Sequence, residues 1–142
     1  MKTSARNTFN GTVSNLQHGA VNDEVSIALA GGRSTIHAII TSGSAKALGL
    51  QVGSEVFALV KSSSVILVAE EGSARFSARN NLRGKITRLE TGAVNTEVVL
   101  DADGLTLVAI ITNESARGLG LAVGSSVQAI FKASSVIVGV AG

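Results

Sequence analysis

The tetrapeptide Ser-Ala-Arg-Asn occurs twice, as Ser4-Ala5-Arg6-Asn7 and Ser77-Ala78-Arg79-Asn80, and each copy is followed by Gly-Ala-Val-Asn, at Gly19 to Asn22 and at Gly92 to Asn95. Both motifs are displaced by 73 positions (77 − 4 and 92 − 19). Ala38-Ile39-Ile40-Thr41 returns as Ala109-Ile110-Ile111-Thr112, and Lys61-Ser62-Ser63-Ser64-Val65-Ile66 as Lys132-Ala133-Ser134-Ser135-Val136-Ile137. These later matches are displaced by 71 positions (112 − 41 and 132 − 61), so two residues were lost or gained between Glu24/Glu97 and Thr41/Thr112. Duplication over the whole length constrains the fold more than any other feature: the chain is two versions of one small domain, expected at residues 1–70 and 74–142.

A domain of about 70 residues is only marginally stabilised by its own core. The chain has no Cys, which removes disulfides as a remedy, and no Cys/His cluster suits a structural zinc. Hydrophobic residues make up 45% and charged residues only 15%, so the halves are expected to pack on each other and the chain to associate into a homo-oligomer. The net charge of +2 is too small to imply a nucleic acid or an anionic membrane. No apolar run approaches the ~20 residues of a membrane span. Met1-Lys2-Thr3-Ser4 lacks the apolar stretch of a secretory signal, so a cytoplasmic protein is expected.

Period-2 patterning dominates. Residues 8–17, with Phe9, Val13 and Leu16, read as an imperfect strand. Glu24 to Ala30 alternates cleanly, with Val25, Ile27 and Leu29 on one face, and Ser34 to Thr41 is the return strand after a turn at Ala30-Gly31-Gly32-Arg33. The second copy turns at Asp101-Ala102-Asp103-Gly104, where the length difference is expected to fall. Thr41 to Gly49 and Thr112 to Gly120 read as short helices with a hydroxyl N-cap and Gly at C′. Strands are expected at Glu55 to Lys61 and Val65 to Ala69, and again at Ser126 to Lys132 and Val136 to Val140. Ala69 to Ala74 is the linker candidate. Five strands with a helix between the third and fourth is the order of an OB-type barrel, so the fold expected is all-β with short helices, as two tandem OB-type five-stranded barrels.

Catalytic constellations are absent from the sequence. His18 and His37 align with Thr91 and Val108, so a function shared by both copies cannot need them. Neither a Gly-x-Ser-x-Gly elbow nor a Walker-type loop occurs. What recurs is a set of hydrogen-bond donors: Ser4/Ser77, Arg6/Arg79, Thr41/Thr112, Lys61/Lys132 and Ser63/Ser134. In extended backbone, residues i and i+2 share a side, so Ser4 and Arg6 aim together, as do Lys61 and Ser63. Thr41 and Thr112 open helices whose free N–H groups are expected to favour an anion. Such donors suit a small doubly charged oxyanion, with no cofactor and no bound metal cation.

Taken in order and duplicated, Ser-Ala-Arg-Asn, Gly-Ala-Val-Asn-x-Glu-Val, Ile-Thr before a helix, and Lys-x-Ser-x-Val-Ile resemble the molbindin family. These are Mop-type molybdate-binding domains, related to the TOBE-type domains of molybdate transporters and repressors. The resemblance covers essentially the whole chain twice, as in tandem di-Mop members. It implies OB-type barrels, a trimer around a threefold axis, and molybdate or tungstate held between domains and subunits for intracellular molybdenum storage or homeostasis. Carried over, one class of site takes Ser4, Arg6, Asn7, Thr41, Lys61, Ser62 and Ser63, with Ser77, Arg79, Asn80, Thr112, Lys132, Ala133 and Ser134. The Ser/Arg and Lys/Ser pairs are expected from different domains. A second class, near the symmetry axis, takes Gly19, Ala20, Val21 and Asn22 with Gly92, Ala93, Val94 and Asn95. Ser62 against Ala133 is the one local departure, and it makes the sites unequal only if that side chain touches the anion.

An OB-type binder of single-stranded nucleic acid is the alternative from another class. It needs stacking aromatics in a basic groove, and this chain has four Phe, no Trp and no Tyr. A molybdate-sensing module acting on a transporter or transcription partner is the nearer alternative. With no ATPase or DNA-binding segment in these 142 residues, storage is the expectation.

Overall fold

β-branched and aliphatic residues at every second position set the strands, and the burial pattern follows them closely. The computed structural model describes residues 2–31, 34–69 and 74–142. Gly32-Arg33 of the expected first turn and Glu70 to Ser73 of the expected linker lie outside the described residues. The first repeat supplies β1 (Asn7–Gln17), β2 (Asn22–Leu29), β3 (Thr35–Thr41), helix α1 (Ser42–Ala47), β4 (Glu55–Val60), a 3-10 turn (Ser62–Ser64) and β5 (Ile66–Ala69). The second supplies β6 (Asn80–Thr91), β7 (Asn95–Ala102), β8 (Leu105–Thr112), α2 (Asn113–Gly118), β9 (Ser126–Phe131), a 3-10 turn (Ala133–Ser135) and β10 (Ile137–Gly139).

The two compact units are not the two repeats. One unit is Met1–Val60 with Lys132–Gly142, and the other is Lys61–Phe131. The first unit is an antiparallel sheet ordered β10-β4-β1-β2-β3, and the second is ordered β5-β9-β6-β7-β8. The halves expected as domains at 1–70 and 74–142 thus each lend their last strand to the unit built on the other. β10 pairs with β4 through Ile137↔Leu59 and Val138↔Ala58, while β5 pairs with β9 through Ile66↔Ile130 and Leu67↔Ala129. In each unit the two end strands of the sheet also approach each other, β10 with β3 and β5 with β8, so both sheets curl in the OB manner.

Inward positions carry the cores. In the first unit Phe9, Val13, Val25, Ile27, Ile36, Ala38, Ala58 and Val60 are buried, and in the second Ile86, Val98, Leu100, Leu107, Ala109, Val127 and Phe131. Each large aliphatic or aromatic side chain removed from water in this way contributes about 1.5–3 kcal/mol before ordering costs. The imperfect alternation of the first strand has a physical cause. A β-bulge between Val13 and Asn15 shifts the inward phase from Phe9 and Val13 to Leu16, and β6 repeats it between Ile86 and Arg88. The two-residue length difference falls between Leu29 and Ser34, as expected. β7 and β8 instead meet through Asp103-Gly104 at φ 55° and 90°, the positive values of a type I′ hairpin.

Both helices start as expected. The Thr41 hydroxyl accepts from Ser44 N at 3.0 Å and that of Thr112 from Ser115 N at 3.1 Å. Gly49 (φ 64°) and Gly120 (φ 63°) take the left-handed C′ position. Replacing either Thr by Ala removes the cap, and urea unfolding is expected to show a loss of about 1 kcal/mol for each.

Candidate functional site

β4 fixes one end of the first unit. Val60 pairs with Asn7 at the start of β1, and Leu59 pairs with Ile137 at the start of β10. Ser4 and Arg6, just before β1, and the turn Lys132-Ala133-Ser134, just before β10, therefore lie at the same end of this sheet. The second unit repeats this with Phe131↔Asn80 and Ile130↔Ile66, gathering Ser77 and Arg79 with Lys61-Ser62-Ser63. The Ser/Arg pair and the Lys/Ser pair thus come from different repeats but share one compact unit. Ser4, Arg6, Lys132 and Ser134 are all exposed, as are Ser77, Arg79, Lys61 and Ser63.

The lysine-led turns are local structures with a clear cause. Ser64 N donates to Lys61 O and Ser135 N to Lys132 O, both at 2.9 Å, which closes a single 3-10 turn after each β-strand. Ser62 and Ala133 are 7% and 5% exposed, so the residue after each lysine points inward and the exposed donors of the two copies are alike. Asn7 and Asn80, at 1% and 2%, are likewise interior residues of the strand starts.

Thr41 lies elsewhere. It pairs with Asn22 across β2 and β3, and β3 runs in the same direction as β1, so it stands at the end opposite Ser4 and Arg6. The eleven-residue β1 separates these ends by on the order of 30 Å if straight. The donor set therefore does not converge within one unit: it splits into a Ser/Arg/Lys/Ser group and a Thr/Gly-Ala-Val-Asn group. Thr112 pairs with Asn95 in the same way. The helix starts are tied down from within the chain. Ser42 N donates to Val21 O at 2.8 Å and Ser44 N to Thr41 Oγ1; Asn113 N donates to Val94 O at 3.0 Å and Ser115 N to Thr112 Oγ1. The first and third N–H groups of each helix are thus taken up within the chain. Their bonds tie each Gly-Ala-Val-Asn segment to its helix, leaving Val21 and Val94 each 71% exposed.

Beside the first of these segments lies a network that a search for shared residues overlooks. Asp23 is 1% exposed. Its carboxylate accepts from Ser42 Oγ at 2.7 Å, His18 Nδ1 at 2.9 Å and Gly19 N at 3.3 Å. The Ser42 hydrogen bond, with those of His18 and Gly19, holds the Asp23 pKa below its ordinary 3.8 against the opposing effect of burial. The stability this lends is fully present above the unfolded value and is lost as pH falls through the depressed folded value. Unfolding measured from pH 7 downward is expected to lose stability below about pH 4, and Asp23→Thr should remove that part of the acid dependence. The sequence signal was there: Asp23, Ser42 and His18 face Thr96, Asn113 and Thr91 in the other copy. There Thr96 Oγ1 donates to Asn113 Oδ1 at 2.6 Å and Asn113 Nδ2 to Gly92 O at 2.9 Å, a neutral network.

His37 sits on the sheet face, with Nδ1 3.1 Å from Ser26 Oγ. Among the described residues no group of three or more His, Cys, Asp or Glu side chains is placed to hold a metal ion. No helix among them is long and apolar enough to cross a membrane.

Known proteins match the chain along nearly its whole length. The TOBE domain family matches residues 3–67 and again 77–138. The molybdenum transport protein ModE of Azotobacter vinelandii is 48% identical over 143 residues, which cover 100% of this chain and 52% of that protein. The molybdenum-pterin-binding protein MopA of Rhodobacter capsulatus is 48% identical over 138 residues, 96% of this chain and 52% of its own length. The chain spans about half the length of these curated relatives. Among solved structures, the cytoplasmic molybdate-binding protein ModG with molybdate bound matches with a TM-score of 0.94 and 48% identity, covering 99% of this chain and 100% of that one. With both repeats matched, the chain belongs to the TOBE domain family, as a tandem Mop-type member.

Proposed function

We infer that the chain binds molybdate, and by the same chemistry tungstate, as an oxyanion, and that it serves intracellular molybdenum storage or homeostasis as a binding protein rather than an enzyme. The observation that carries this is the gathering of Ser, Arg, Lys and Ser at one end of each sheet, made twice from opposite repeats. The end-to-end similarity to ModG, a protein described as cytoplasmic and as binding molybdate, supports both the ligand and the compartment. Arg and Lys supply charge-assisted hydrogen bonds to a dianion, and the exposed serines supply neutral ones. Molybdate, tungstate and sulfate are all tetrahedral dianions, so selectivity rests on size: donors spaced for longer metal–oxygen bonds leave sulfate with stretched, weak hydrogen bonds.

The anions are held where several copies of the chain meet, in a trimer. Apolar residues exposed in both repeats support association: Val21/Val94, Val52/Val123 and Ile66/Ile137 are each 58–71% exposed. An anion at such a junction stabilises the assembly by mass action. Thr41 and Thr112, remote from the Ser/Arg group of their own unit, are supplied to an anion by this assembly. A sensing role is the second reading, favoured by the similarity to ModE proteins, about half of whose length the chain matches. The binding chemistry is the same in both.

Thermal melting of anion-free protein tests the reading. Molybdate at a hundred times its dissociation constant is expected to add about 2.7 kcal/mol per site, with light scattering reporting a trimer. A melt that molybdate leaves unmoved contradicts it.

A further inference from the structure

On the outer face of the first unit, strand register gathers side chains that oxyanion binding does not use. β4 pairs with β1 through Phe57↔Asn10 and Glu55↔Thr12, and β1 pairs with β2 through Thr12↔Ala28. Phe57 and Glu55 stand two residues apart in an extended strand, so they share a side and lie about 7 Å apart along it. That side is opposite the buried Val56 and Ala58. Phe57 is paired with Gly139 of β10, whose Cβ would lie 3.7 Å from Phe57 Cδ2. Together with Ala28 and Ala141, these residues line a cavity of about 530 Å³, room enough for a small organic molecule. Glu55 is the only charged residue among those lining it. The side chains of Asn10, Thr12 and Glu55 are exposed and make no hydrogen bond or ion pair with the described residues. The second unit is built differently at the matching positions, Arg83, Lys85, Asp101, Ser126 and Gln128. The ring is replaced there by the buried amide of Gln128, which accepts from Asn81 Nδ2 at 2.9 Å, and two cations stand where the first copy has Asn10 and Thr12.

We propose that this cavity of the first unit binds a small organic monocation, an ammonium or guanidinium group joined to an apolar body. The body lies against Phe57 and Ala28 while the charged head reaches the Glu55 carboxylate, and Asn10 Oδ1 and Thr12 Oγ1 accept its remaining N–H donors. The Phe57 ring adds a cation–π attraction. The same carboxylate turns anions away, which sets this site apart in charge from the Ser/Arg/Lys/Ser group. Arg83 and Lys85 repel such a ligand from the matching face of the second unit. The inference does not depend on oxyanion binding.

Three probes with one apolar body and different charges test it, in NMR titrations of the full chain at neutral pH: phenethylammonium, the neutral 2-phenylethanol and anionic 3-phenylpropionate. The cation is expected to bind with a dissociation constant on the order of 1 mM. It should bind roughly tenfold more tightly than the alcohol, and the anion should not bind. Amide shifts should centre on residues 10–12, 28–30 and 55–57. Glu55→Gln should bring the cation down to the affinity of the alcohol, and Phe57→Leu should weaken cation and alcohol together. The comparison among the three probes needs no variant, so it stands even if one fails to fold. Equal binding of cation and alcohol to the unaltered protein, or a cation preference that survives Glu55→Gln, would overturn the proposal. So would shifts centred outside these strands, or none at all.

Discussion

Alanine at both Lys61 and Lys132 lowers molybdate affinity by about 30- to 100-fold and leaves the fold intact, as measured by dialysis alongside urea unfolding. Each lysine is exposed at the mouth of a 3-10 turn whose closing bond, Ser64 N to Lys61 O or Ser135 N to Lys132 O, uses only backbone atoms. Removing the ammonium groups therefore spares the turn. It takes one of two cations from the Ser/Arg/Lys/Ser group, and a charge-assisted bond to an anion is worth roughly 1.5–3 kcal/mol. Either single variant should weaken only the sites its own lysine serves, so stoichiometry at intermediate molybdate separates the two. Replacement by Arg keeps the charge but not the compact ammonium, and should recover only part of the loss.

The largest loss of stability is expected at Gly84→Val. A Cβ built on Gly84 meets the backbone carbonyl of Asp101 and comes within 3.1 Å of Ala102 Cα, and neither can move without breaking the β6–β7 ladder. Gly11 repeats the constraint in the first copy, where a Cβ would lie 2.6 Å from Ala28 O. These glycines let two neighbouring strands approach closely. A branched side chain there should cost about 3 kcal/mol, read as a shift in the urea midpoint. Gly43→Ala is the control: its position in α1 is open, so the change should be neutral or stabilising by a few tenths of a kcal/mol. A Gly84→Val protein as stable as the parent would mean that the strands can separate there at no cost.

Much of this was legible in the sequence because it is local. The caps at Thr41 and Thr112, the C′ glycines and the position of the length difference all depend on a few neighbouring residues. Even the bulge showed itself, as the broken phase between Val13 and Leu16. What could not be read depends on partners far along the chain. Lys61 to Ile66 and Lys132 to Ile137 are near-copies, so a strand that stays with its own repeat and one that crosses to the other bury the same side chains. The place of Thr41 is similar: the resemblance groups it with the Ser/Arg pair at sites between domains, and only strand direction shows that it stands at the far end of its own sheet. Asp23 was missed for a different reason. Attention to what the repeats share passes over what only one of them has, and the divergence at Asp23, Ser42 and His18 is visible only when the copies are contrasted.

The oxyanion-binding account stands or falls most directly on a calorimetric titration of anion-free protein with molybdate in excess sulfate. The account predicts tight, saturable heat with more than one anion bound per chain, little changed by the sulfate. Heat abolished by sulfate would reduce the site to a generic anion patch, and no heat at all would mean that the duplicated donors are structural.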